Sequence, residues 1–166
     1  MIKKGKAWKF GDDISTDHIA PGRLFHLRTN LPELAKHVLE DADPEFASKM
    51  SVGDFVVAGN NFGLGSSREH APQVLKIAGV NAVLAKSFAR IFFRNAINIG
   101  LLAVTCDTDK INLGDELELE LSEGFIKNIT QGTQIEFTAL PDVMIKILND
   151  GGLARHIEKY GDFQLV

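Results

Sequence analysis

The chain has a single cysteine, Cys106, in 166 residues. One thiol cannot close an internal disulfide, and alone it can hold neither a zinc ion nor an iron–sulfur cluster. A basic excess is also missing. Eighteen Lys and Arg stand against twenty-two Asp and Glu, a formal charge of −4, and no Lys/Arg block or aromatic-basic interleaving breaks that balance. Nothing here would hold a polyanion, so no nucleic-acid partner is expected. Long apolar runs are absent too, and the start, MIKKGKAWKFGDD, passes from lysines to glycine, tryptophan and acids, unlike a secretory leader. The expectations are no membrane partner and a cytoplasmic location.

What is present, 45% apolar and 24% charged residues, is the balance of one globular domain over 1–166. Residues 5–10 alternate weakly and end at the turn signal Gly11-Asp12-Asp13, which predicts a short strand. From Asp12 to about Asn30 no period is sustained, and a loop of that length without regular structure is usually functional. Residues 31–40 place Leu31, Leu34, Ala35, Val38 and Leu39 on one helical face, with Pro32 in the first turn, and a short helix is expected at 44–50. Strands at 55–58, 80–85 and 101–106 then alternate with helices at 72–78 and 87–99, the pattern of parallel α/β layering. Residues 115–121 and 133–140 read as antiparallel strands, and 141–149 and 153–160 as closing helices.

Between the strand at 55–58 and the helix at 72–78 lies GLGSSREHAP, residues 63–72. Read locally, Ser66 with Glu69 three positions on is a capping box. That leaves Gly63, Gly65, Ser67 and Arg68 without a role. A glycine-rich loop feeding a helix start suits an anion, and Arg68 adds a fork that matches a carboxylate. Nucleotide motifs fit poorly: GxGxxG has Arg68 where its last glycine belongs, and no GK[ST] follows. A serine among such donors could also serve as a base in its alkoxide form, although free serine is far too weakly acidic at neutral pH.

Four segments, STDHI at 15–19, GNNFGLGSSREHA at 59–71, AKSFARIFFRN at 85–95 and NIGL at 98–101, resemble the swivelling domain of the aconitase superfamily. The likeness is nearest to the stand-alone small subunits of 3-isopropylmalate dehydratase and homoaconitase. It implies an α/β fold, a single three-layer β/β/α swivelling domain, with a substrate-specificity loop at about 20–31. It also implies a hydro-lyase that moves a hydroxyl between neighbouring carbons of a 2-hydroxy acid, active only with a large subunit that carries a [4Fe–4S] cluster. No cofactor or metal is then expected in this chain. By motif, Ser66 is similar to the family's alkoxide base, Ser67 and Arg68 to its carboxylate holders, and Asp17 to the acid at the hydroxyl-handling end. When the small subunit is isolated, its uncovered partner face predicts small homo-oligomers.

The substrate follows from HLRT at 26–29, similar to the YLRT of homoaconitase small subunits with His26 in place of tyrosine. An arginine buried against an isopropyl group would be costly, whereas the third carboxylate of homocitrate would satisfy Arg28, with Thr29 beside it. If Arg28 points elsewhere, Leu24, Phe25 and Leu27 are free to line an apolar pocket. The first expectation is a subunit of the leucine-pathway enzyme. Homoaconitase comes second, and another malate-type dehydratase, such as one for 2,3-dimethylmalate, third. A catalytically silent carboxylate-binding module is the alternative from a different class. Of the histidines, His18 and His70 read as packing or loop hydrogen-bond partners, and His26, His37 and His156 as surface or loop residues. Arg90 and Arg94, one helical turn apart, read as solvated or subunit-facing as readily as substrate-facing.

Overall fold

The computed structural model describes residues 2–66 and 68–161. In chain order the elements are β1 (Ile2–Lys9), α1 (Thr16–Ile19), α2 (Leu31–Ala35), α3 (Phe46–Lys49), β2 (Phe55–Val57), α4 (His70–Ala78), β3 (Ala82–Ala85), α5 (Arg90–Ile99) and β4 (Leu102–Thr105), followed by β5 (Glu116–Glu120), β6 (Phe125–Asn128), β7 (Thr133–Glu136), α6 (Asp142–Asn149) and α7 (Leu153–Tyr160). The strands lie in the order β4-β3-β2-β1-β5-β6-β7. Strand β1 joins two kinds of sheet: its end, Ala7 to Lys9, pairs parallel with β2, and its start, Ile2 to Lys6, pairs antiparallel with β5.

Burial sorts these strands into layers. Val56, Val83 and Ala103 alternate onto one face of the parallel half, where Val74, Leu75, Phe92 and Ala96 of α4 and α5 cover them. Phe55, Val57, Leu84 and Val104 point the other way and meet Leu117, Leu119, Ile126 and Ile135 of the antiparallel half. The short parallel strands therefore read as unbroken apolar runs, because both faces are buried. The result is the expected β/β/α sandwich.

Four expectations are corrected. The segment after β1 is not irregular: it contains α1 and a 3-10 segment at Gly22–Thr29. The helix at 31–40 is regular only over Leu31–Ala35. Leu39 is fully buried in the left-handed conformation, with its N–H on Ile19 O at 3.0 Å, so a tertiary contact overrides the helical period. A strand, β6, lies between the two expected antiparallel strands. Its Asn128 is buried and donates to Asp115 Oδ2 at 2.8 Å, a polar core contact that no alternation pattern announces. His156 is also not a surface residue: it is fully buried, with Nδ1 2.7 Å from Asp150 Oδ2. Among the described residues, no helix is long and apolar enough to cross a membrane.

The junction of β1 and β2 is held by a buried carboxylate. Asp54 accepts from Trp8 Nε1 at 3.0 Å, Ser51 N at 2.9 Å and Lys6 N at 3.2 Å. Asp54→Ala strands three donors at once, so urea denaturation is expected to show a loss of about 3 kcal/mol.

Candidate active site

The parallel strands stop, but their hydrogen bonding does not. Past β1 and β2, Asp13 N reaches Asn60 O at 2.9 Å, Gly63 N reaches Ile14 O at 2.7 Å, and Thr16 N reaches Leu64 O at 2.9 Å. On the other side Lys86 N bonds Gly59 O at 3.0 Å, Phe62 N bonds Ser87 O at 3.0 Å, and Ala89 N bonds Phe62 O at 2.9 Å. The loop after β2 is thus laced between the segments that follow β1 and β3. This lies at the carboxyl ends of the parallel strands, where open α/β sheets place their ligands.

Close packing dictates the glycines of this loop. A Cβ on Gly63 would lie 2.2 Å from Phe92 Cγ, and φ there is +85°, so no other residue fits without moving α5. The turn delivers Ser66 to the wall of a cavity of about 200 Å³. Thr16, Gly65 and Arg68 line the same cavity, with residues 89–92 and Asn95 of α5 opposite. Ala89, at the start of α5, offers no side-chain cap, so the positive end of that helix faces the cavity unneutralised.

The helix expected to have Ser66 as its N-cap has Glu69 there instead, three residues later. Glu69 precedes α4 with helical torsions and no side-chain cap. Among the described residues the capping box of the expectation is therefore absent: Gly65 has φ +107°, and the Ser66 carbonyl is held by Thr16 Oγ1 of the segment after β1. A capping box forms elsewhere: Ser15 accepts from His18 N at 3.2 Å while His18 Nδ1 receives Ser15 N at 2.9 Å. His18 is thus the loop hydrogen-bond partner that was expected.

Arg68 is mostly buried, and its Nη1 lies 2.6 Å from Oδ1 of the more exposed Asp17. Attraction holds this pair, yet among the described residues Nη1 is buried without a well-directed hydrogen bond. Phe25 sits beside it, its ring centre 5.4 Å from Arg68 Cζ and 4.2 Å from Arg28 Cζ. Arg28 is exposed and donates to Phe25 O at 3.1 Å, so its guanidinium is turned onto its own 3-10 segment. Neither Arg28 nor Thr29 lines the cavity of Ser66. Leu24 and Leu27 pack on the core, leaving Phe25 as the apolar surface beside Arg68. Ser67 lies outside the described residues.

Three lining groups carry no expectation from sequence: Thr16, Asn95 and the bare start of α5. Thr16 stands within the STDHI segment itself, and an alanine before an amphipathic helix signals a start without a cap. Arg90 lines the cavity and is exposed, whereas Arg94 is exposed outside its lining.

The family model described as the aconitase C-terminal domain matches residues 25–109. The chain belongs to this family. The 3-isopropylmalate dehydratase small subunit 2 of Archaeoglobus fulgidus is 63% identical over 99% of this chain and 100% of its own length. The methanogen homoaconitase small subunit of Methanothermobacter thermautotrophicus is 53% identical over 95% of this chain and 92% of its own. The crystal structure of 3-isopropylmalate dehydratase from Methanocaldococcus jannaschii superposes with a TM-score of 0.92 at 44% identity, covering 97% of this chain and 96% of that one.

The resemblance implies an iron–sulfur cluster, and the described residues of this chain do not fit one. Its single thiol, Cys106, is buried, and burial together with Asp107 pushes its pKa up to about 12. Among the described residues no group of three or more His, Cys, Asp or Glu could hold a metal ion.

His70 completes the surroundings of Arg68, its ring 6.1 Å from that of Phe25. Partial burial, and then the charges of Arg68 and Arg28, hold its pKa below the ordinary imidazole value. As pH falls below about 6.5 the unfolded chain takes this proton first, so the fold loses stability on the acid side. His70→Gln is expected to flatten the fall in Tm between about pH 7 and pH 5, measured by thermal denaturation across that range.

Proposed function

We propose that the chain is the small subunit of a heteromeric hydro-lyase that interconverts 2-isopropylmalate and 3-isopropylmalate by dehydration and rehydration, in leucine biosynthesis. The observation that carries this reading is that Ser66 and Arg68 share one cavity, in a chain related over its whole length to proteins of that name. The proposal includes a large subunit that supplies the [4Fe–4S] cluster, and a cytoplasmic location.

Within this chain, Ser66 takes the proton from the carbon next to a substrate carboxylate and returns one on rehydration. Arg68, with Ser67, holds that carboxylate and offsets the charge that builds up beside it. The same guanidinium and the bare start of α5 favour an anionic oxygen on Ser66. Asp17 stands at the hydroxyl-handling end. Its contact with Arg68 is the one a substrate carboxylate replaces, helped by the poor hydrogen-bond direction of the resting pair.

The specificity loop favours the dicarboxylate. Arg28 is engaged by Phe25, and the ring of Phe25 offers an apolar wall to a branched group near Arg68. A homocitrate enzyme needs Arg28 and Thr29 swung toward the cavity. The complex with the cognate large subunit is expected to turn over 3-isopropylmalate in preference to homocitrate, and the isolated chain to bind neither tightly. Ser66→Ala in that complex is expected to lose about 10³-fold in kcat without unfolding. Arg28→Val is expected to leave turnover of 3-isopropylmalate nearly unchanged. Steady-state assays with both acids check the three turnover outcomes, calorimetric titration of the isolated chain checks the binding, and a preference for homocitrate that Arg28→Val abolishes overturns the substrate choice.

A further inference from the structure

Ser66 stands on a loop with its side chain exposed, and among the described residues no hydrogen bond holds its hydroxyl. A serine side chain has one torsion before its oxygen, so the backbone that carries it limits Oγ to three staggered places. That backbone is held at the Ser66 carbonyl, which accepts Arg68 N at 2.8 Å and Thr16 Oγ1 at 3.2 Å. The first bond is local and only tightens the turn. The second ties the turn to a segment fifty residues away.

We infer that Thr16 is a positioning residue for Ser66, an inference that rests on the proposed role of Ser66 as base. Thr16 is 3% exposed, although it lines the cavity. Its own N–H is fixed on Leu64 O at 2.9 Å, and its hydroxyl also limits the residue before Ser66. A Cβ on Gly65 would come within 3.2 Å of Thr16 Oγ1, where φ is +107°. A single buried side chain therefore fixes the approach of the turn on one side and the carbonyl of the catalytic serine on the other. Branching at Cβ narrows the rotamers of Thr16, so its hydroxyl is aimed in advance.

Thr16→Val keeps the shape and removes the hydroxyl, and Thr16→Ser keeps the hydroxyl and removes the methyl. In the complex with the large subunit, Thr16→Val is expected to lower kcat by about 10²-fold with KM little changed, because a displaced base spoils proton transfer more than binding. Thr16→Ser is expected to restore most of kcat. Combined with Ser66→Ala, Thr16→Val is expected to add no further loss, since the two act as one unit. Wild-type kcat in Thr16→Val, or a Thr16→Ser as slow as Thr16→Val, overturns the inference. Those results leave the role of Ser66 standing as long as Ser66→Ala is inactive. An active Ser66→Ala complex overturns that role and the inference with it.

Discussion

The site depends on backbone hydrogen bonds that run past the ends of their strands. Strands β1, β2 and β3 are short, yet the segments that leave them stay paired for several more residues, and the loop carrying Ser66 is the middle member. A loop laid between two other backbone segments carries N–H and C=O groups that need partners, and here each flank supplies them. The tight spacing excludes side chains, which is why Gly63 lies against Phe92 and Gly65 against Thr16. A catalytic residue on such a loop is held nearly as firmly as one on a strand.

Charge is organised around the same loop. The chain is acidic overall, but Arg68, Arg90 and the bare start of α5 gather at one small cavity. Positive groups this close raise the energy of the empty site. Asp17 lowers that energy by lying against Arg68, and Phe25 spreads its ring beside Arg68 and against Arg28. Burial, and after it the same positive charges, lower the pKa of His70. The ligand suited to such a cavity is an anion that can exchange with Asp17 and tolerate an aromatic wall.

Most of the layering was legible in the sequence, because buried parallel strands and amphipathic helices write their burial into apolar runs and helical periods. Ser66 and Arg68, which share one cavity, stand in one of four spaced motifs, whereas nothing in the sequence singles out Thr16 or Asn95 beside them. Local reasoning failed where tertiary contacts outweigh local preference. Ser66 and Glu69 have the types and spacing of a capping box, but pairing with the segment after β1 keeps Ser66 out of the helix. Leu39 fits a helical face, yet Ile19 O draws its N–H away. Strand β6 is four residues long and buries an asparagine, so neither length nor alternation marks it. From the sequence Arg28 stays open between a substrate carboxylate and another direction, because nothing in the string of letters shows that it is engaged by Phe25.

The seating of Gly63 against Phe92 also bears on how this kind of enzyme can be divided into parts. The loop with Ser66, the proposed base, and the helix with the uncapped start interlock within one polypeptide, so their spacing is set before any assembly takes place. On the proposed reading, a large subunit has only to present the substrate from the open side of the cavity. Half of an active site can therefore be inherited as a finished component, free to be paired with different large subunits as long as the docking faces match.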